Sequence, residues 1–145
     1  MPIMRLLPYI LLCCAACAPS HSQTPPGIQA LLDQRRATID QARSMALGPL
    51  SEWEAETSPS CASPNLTRAQ SSVLAAVDVF TSENHGADVA TDAGTWMLTV
   101  ADAARDHGCK QVARRLYDTV IATYTGSAYA ALRQRAQIGI DDLRQ

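Results

Sequence analysis

Apolar positions recur at three- and four-residue spacing along most of this chain, and no stretch after residue 17 shows the two-residue alternation of a strand. From Ile28, the residues Leu31, Leu32, Ile39, Ala42, Ala46 and Leu47 follow a helical period, with Arg35, Arg36, Asp40 and Arg43 on other faces. Gly48-Pro49 is expected to end this first helix, because proline lacks the N–H that a helix interior uses. Residues 50–64 carry three acids, Trp53, two prolines and Cys61, and read as an irregular connector with one turn around Trp53.

A second helix is expected after Pro64 or Asn65, with Leu66, Ala69, Val73, Ala76, Val77 and Phe80 inside. Residues 81–86 read as a turn. A third helix runs from Ala87 or Asp88 to His107 on a stripe of Val89, Ala93, Trp96, Val100 and Ala104, and Gly108 breaks it. A fourth spans Lys110 to Tyr124 on Val112, Leu116, Val120 and Ile121. After a turn at Thr125-Gly126-Ser127, a fifth covers Ala128 to Leu143, with Ala131 or Leu132, Ala136, Ile138 and Ile140 available for packing. The expected fold is an all-α bundle of about four to five helices without strands.

Composition supports this reading. Apolar residues make up 47% of the chain, much of it alanine, and aromatics only 5%, a balance that favours packed helices over sheets. The length of 145 residues suits one core. A net charge of -2 argues against nucleic acid as a partner, since phosphate binding needs a basic face. Lys110 is the only lysine.

The start of the chain has a different character. Arg5 is followed by an apolar run from Leu6 to Leu12, which is too short for a bilayer core that requires about 20 residues. This is the layout of an export signal. The run closes on Cys14-Ala15-Ala16-Cys17, which resembles the bacterial lipobox, in which small residues precede a cysteine that is acylated and becomes the mature N-terminus. Ala15, Ala16 and Cys17 fit that pattern, while Cys14 stands where leucine is usual. The alternatives are an ordinary signal cleaved after Ala16 or Ala18, and an uncleaved anchor. The resemblance implies a signal peptide over 1–16, a lipid-bearing Cys17 and the bilayer as a partner. Ala18 stands where aspartate would retain the protein in the inner membrane, so the family rule places it at the outer membrane, facing the periplasm. Residues 17–27, rich in proline and serine, then form a tether to a helical domain over 28–145. His21, within that tether, has nothing to orient it.

Of the five cysteines, Cys13 and Cys14 leave with the signal and Cys17 takes lipid. Cys61 and Cys109 remain, and in an oxidising compartment they are expected to form one structural disulfide. They lack the Cys-x-x-Cys spacing of a redox-active pair. His107 beside Cys109 falls short of the three or four ligands zinc requires.

Residues 94–127 resemble a single degenerate tetratricopeptide repeat, with Ala101 at the small position of the first helix, Gly108 at the turn, and Ala113 and Tyr117 in the second helix. Met97 stands in the usual tryptophan position next to Trp96, and Thr125 replaces the closing proline. A plain helical hairpin meets the same packing rules. Both readings imply two antiparallel helices around Gly108, capped by the last helix.

No nucleophile elbow, phosphate loop or paired-histidine zinc motif is present. Glu83, His85, Asp88 and Asp92 are the most suggestive cluster, a candidate acid–base or cation set whose simpler reading is turn chemistry, with Asp88 capping the third helix. Glu52, Glu54 and Glu56, and likewise Asp102, Asp106 and His107, read as solvated faces. No cofactor, metal or catalytic activity is expected. The chain reads as a membrane-anchored helical interaction module or scaffold that holds a protein partner of the envelope. A pilotin-like chaperone of a secretion pore and a periplasmic immunity or inhibitor protein are the alternatives.

Overall fold

The computed structural model describes residues 26–82 and 85–145. It is all-α: the described residues form five α-helices and one short 3-10 turn, with no strand among them. The helices are α1 (Pro26–Glu54), α2 (Pro64–Ser82), α3 (Ala87–Asp106), α4 (Lys110–Thr123) and α5 (Ala130–Asp142), and the 3-10 turn Ser127–Tyr129 leads into α5. Each helix packs against the next in the chain, and α3 also touches α1 and α5, so it is the central element. Two points of contact each give the direction: Glu52 with Arg68 and Ala42 beside Val79 make α1 and α2 antiparallel, and Tyr117 with Asp102 and Tyr124 with Ala90 do the same for α3 and α4.

The first helix departs most from expectation. It starts at Pro26, so residues 26 and 27 belong to the helix rather than to a tether, and proline suits a first helical position, where its missing N–H is not needed. It also does not stop at Gly48-Pro49 but continues to Glu54. An internal proline costs about 3 kcal/mol. The gain on the other side is larger: Ala46, Leu50 and Trp53 fall on one face only if the helical phase is kept, and all three are buried. Burying a large apolar side chain contributes about 1.5–3 kcal/mol, and Trp53 adds a hydrogen bond from its Nε1 to the Ser60 carbonyl at 3.0 Å. The irregular connector is therefore only 55–63.

That connector is tied to α2. Ser63 is buried, its Oγ accepts the Asn65 backbone N–H at 3.1 Å, and Pro64 follows as first helical residue. Glu56 accepts from the Ser63 hydroxyl at 2.5 Å and from the Asn65 side-chain amide at 2.8 Å. Glu52 pairs with Arg68 at 2.7 Å. Two of the three acids expected on a solvated face thus secure the start of α2, where negative charge is favoured. Leu66, Ala69, Val73 and Val77 are its buried stripe.

The third helix is buried on most sides, including Val89, Ala93, Trp96, Val100 and Ala104 as expected, and also Met97 and Leu98. Gly108 closes it in the left-handed conformation (φ 77°), and the Cys109 N–H reaches back to the Ala104 carbonyl at 2.7 Å. In α5 the structure selects Leu132 over Ala131 for the core, with Ala136 and Ile140. Ile138, expected to be available for packing, is exposed instead. It is two residues from both Ala136 and Ile140, and a two-residue step on a helix moves to another face.

Two tyrosines of the α4 region lock the three C-terminal helices. Tyr117 lies against Gly139, where an added Cβ would collide with its ring, and Tyr124 lies against Gly94, where a Cβ would approach its ring at 2.9 Å. The Tyr124 hydroxyl donates to the Ala90 carbonyl at 2.8 Å. Arg133 closes the end of α4 by donating to the carbonyls of Tyr124 (2.5 Å) and Gly126 (2.6 Å).

Candidate functional site

The disulfide expected between Cys61 and Cys109 is present, with Cα atoms 5.3 Å apart. It fastens the 55–63 connector to the turn between α3 and α4. Trp53 lies beneath the same region, with the His107 ring edge-on to it at 4.8 Å. These groups tie that end of the bundle together.

Of the acidic and histidine cluster, the structure describes His85, Asp88 and Asp92. Glu83 lies outside the described residues. Asp88 is in the first turn of α3 but does not cap it: Gly86 holds the cap position and no side chain bonds there. Asp88 instead faces Arg35 of α1, with N–O separation of 3.3 Å, while Arg35 also donates to the His85 carbonyl at 2.8 Å. The His85 ring stands edge-on to Phe80 at 5.3 Å. Asp92 is exposed. The residues thus join α1 to the start of α3.

Asp102 also differs from the solvated role expected of it. Its side chain is half-buried and accepts from the Tyr117 hydroxyl at 2.6 Å and from Arg135 at 2.5 Å, with Arg105 at 3.7 Å. Burial first, and then the bond to Asp102, raises the Tyr117 phenol above its ordinary value. Arg105 in turn pairs with Asp106 at 3.0 Å and Asp142 at 3.3 Å. This network pins α3, α4 and α5 together and leaves Tyr117 neutral, as a donor. Every buried side-chain nitrogen and oxygen among the described residues has a partner. Among those residues no group of three His, Cys, Asp or Glu is placed to hold a metal ion.

Concave surface lies on both sides of α1. Between α1 and α2 is an apolar trough of about 310 Å³, whose lining includes Ala42, Met45, Ala46, Ala75, Val79 and Phe80. It exists because alanines on both helices reach no further than Cβ, while Met45 and Val79 rise beside them, 69% and 44% exposed. A second hollow of about 360 Å³, between α1 and the start of α3, is lined by Leu31, Ile39, Phe80 and Val89 with Arg35 and His85 at its polar edge. Phe80 contributes to both and packs edge-on against Trp96 at 5.9 Å.

Sequence reasoning did not single out Met45 or Val79. The available signal was the width of the apolar arc on α2, where Val73 through Val77 are apolar without a break and Val79 follows. A helix with more apolar surface than one buried stripe can cover presents the remainder to a partner or to solvent. Cys17, the 1–16 signal and His21 lie outside the described residues. No described helix is long and apolar enough to cross a membrane.

No protein family model, no curated protein and no solved structure matches this chain.

Proposed function

We propose that this chain is a lipid-anchored interaction module of a bacterial cell envelope, held to the outer membrane through Cys17 and presenting the trough between α1 and α2 to an amphipathic helix of an envelope protein. The trough is the observation that carries the reading. It is apolar, its alanine floor lets another backbone approach closely, and Met45 adds an adaptable thioether wall of the kind that accommodates helical ligands. The lipobox resemblance at Cys14-Ala15-Ala16-Cys17 supplies the anchor and the compartment, and an oxidising compartment suits the Cys61–Cys109 disulfide.

The test is chemical cross-linking in intact cells followed by affinity capture through a C-terminal tag, comparing the natural chain with Met45→Asp and Val79→Asp. Both positions are exposed, so the variants should fold normally. A single cross-linked protein that disappears in both variants supports the reading. A partner retained at full yield in both would show that the trough is not the contact surface. Loss of membrane sedimentation in Cys17→Ser checks the anchor separately.

A further inference from the structure

The face of α1 that packs into the bundle does not end where the bundle ends. The helix has 29 residues and α2 has 19, ten fewer. With Glu52 opposite Arg68, the antiparallel register brings the end of α2 to about residue 38 of α1. The first turns of α1 therefore project beyond α2, by about 18 Å at 1.5 Å per residue. On this overhang Ile28, Leu31 and Leu32 continue the buried face of Ile39, Ala46, Leu50 and Trp53, and they are 51%, 66% and 46% exposed. Asp33 and Ala37 occupy the opposite side with Gln29 and Arg36 on its flank, so the segment is amphipathic; Arg35, on the apolar side, is turned to His85 and Asp88.

We infer that the overhang lies in the interfacial layer of the membrane that carries the anchor, with Ile28, Leu31 and Leu32 turned into the boundary between headgroups and acyl chains. The inference rests on the lipid-anchor reading of Cys17. Residues 18–25 separate that cysteine from Pro26, and a chain of that length spans on the order of 30 Å at most. The apolar overhang is thus confined near the bilayer surface, and its insertion is an intramolecular event that requires little intrinsic affinity. The charges favour apolar insertion over headgroup pairing. Arg36 is 3.5 Å from Asp33 on the overhang itself, and Arg35 is engaged by Asp88. Both arginines already have protein counter-charges, so the contact should survive high salt, unlike adsorption through a basic patch. The lipid fixes the molecule to the membrane, and the overhang sets its orientation, with the α1–α2 trough standing off the surface.

The experiment uses the full acylated protein, purified from membranes and reconstituted into phosphatidylethanolamine–phosphatidylglycerol vesicles with brominated acyl chains. Two variants, Ile28→Trp and Ala37→Trp, place an indole on the apolar and polar sides of the overhang. Both native tryptophans are buried in the bundle, so quenching reads the added residue. The expected result is a blue-shifted emission that brominated chains quench strongly for Ile28→Trp and weakly for Ala37→Trp, at low and high salt alike. Equal quenching of the two, or none while the protein still sediments with vesicles, overturns the inference and leaves the anchor intact. A blue shift that brominated chains do not quench means that protein covers the face, and overturns it too. A chain without acyl mass at Cys17 that stays in the supernatant removes the anchor reading, and this inference with it.

Discussion

Ile28, Leu31 and Leu32 at the start of α1 lie on the same face as Ala46, Leu50 and Trp53 at its end, yet the first three are exposed and the last three buried. Nothing local distinguishes them: both triplets are apolar and both have helical spacing. What differs is the covering. The second half of α1 faces α2, the 55–63 connector and, at its end, the His107 ring, all held by the disulfide. Its first turns are less covered: among the described residues Arg35 reaches His85 and Asp88, and Leu31 borders an open hollow. An apolar stripe states that a surface wants cover, and the lengths of neighbouring helices decide whether the same chain supplies it.

The comparison is most directly broken at Trp53. Trp53→Ala should lower unfolding free energy by about 3–5 kcal/mol, since it empties a fully buried site and removes one of the two donors to the Ser60 carbonyl. Chemical denaturation of the oxidised protein measures this, and a loss below about 1 kcal/mol would mean that the end of α1 is not anchored as described. Cys61→Ser comes next. It opens a loop closed across 48 positions, for which about 2–4 kcal/mol is expected, and the reduced natural protein should match it. Reduced and oxidised protein with equal melting temperatures would contradict the clamp.

A third measurement unloads the covered side with pH alone. Burial, and for Tyr117 the bond to Asp102 as well, raises the phenols of Tyr117 and Tyr124 above their ordinary value near 10. The folded state then keeps protons that the unfolded chain releases. Their contribution is complete below about pH 10 and declines as pH rises further, by about 1.4 kcal/mol per pH unit for each tyrosine. Melting temperature should fall steeply above that pH, and Tyr117→Phe should flatten the slope. An unchanged slope in that variant would assign the alkaline transition elsewhere. The smallest effect belongs to the overhang: Leu31→Ala should change stability by less than about 0.5 kcal/mol in detergent-free buffer, because the side chain is largely exposed. A large loss there would show that the first turns of α1 are covered in solution.

Much of the fold was legible before the structure. Leu66, Val73, Val89, Trp96, Val100, Leu116 and Val120 announced three helices through their spacing, and all are buried. Gly108 marked its turn because few other residues tolerate a positive φ. The disulfide was expected because Cys61 and Cys109 are the two cysteines beyond the segment that resembles an export signal, and the structure pairs them. Pro49 misled for a physical reason: local backbone chemistry argued for a stop, but burial of Leu50 and Trp53, at positions 50 and 53 of one continuing face, outweighed it. Asp88, Asp102 and Glu56 misled in another way. A carboxylate reads as solvated or capping until a distant partner is known, and theirs are Arg35, the Tyr117–Arg135 pair, and Ser63 with Asn65.

By itself the sequence determined the all-helical character and most helix boundaries, because periodicity and turn glycines act over short range, and it made Cys61 with Cys109 the expected pair. Only the tertiary structure decided that α1 runs through Pro49, that Gly94 and Gly139 are the seats of Tyr124 and Tyr117, and which apolar residues remain outside. Those outcomes depend on how helices of unequal length register against one another. That register is set by contacts between residues far apart in the chain, and the pattern within one helix carries no record of where its neighbour stops.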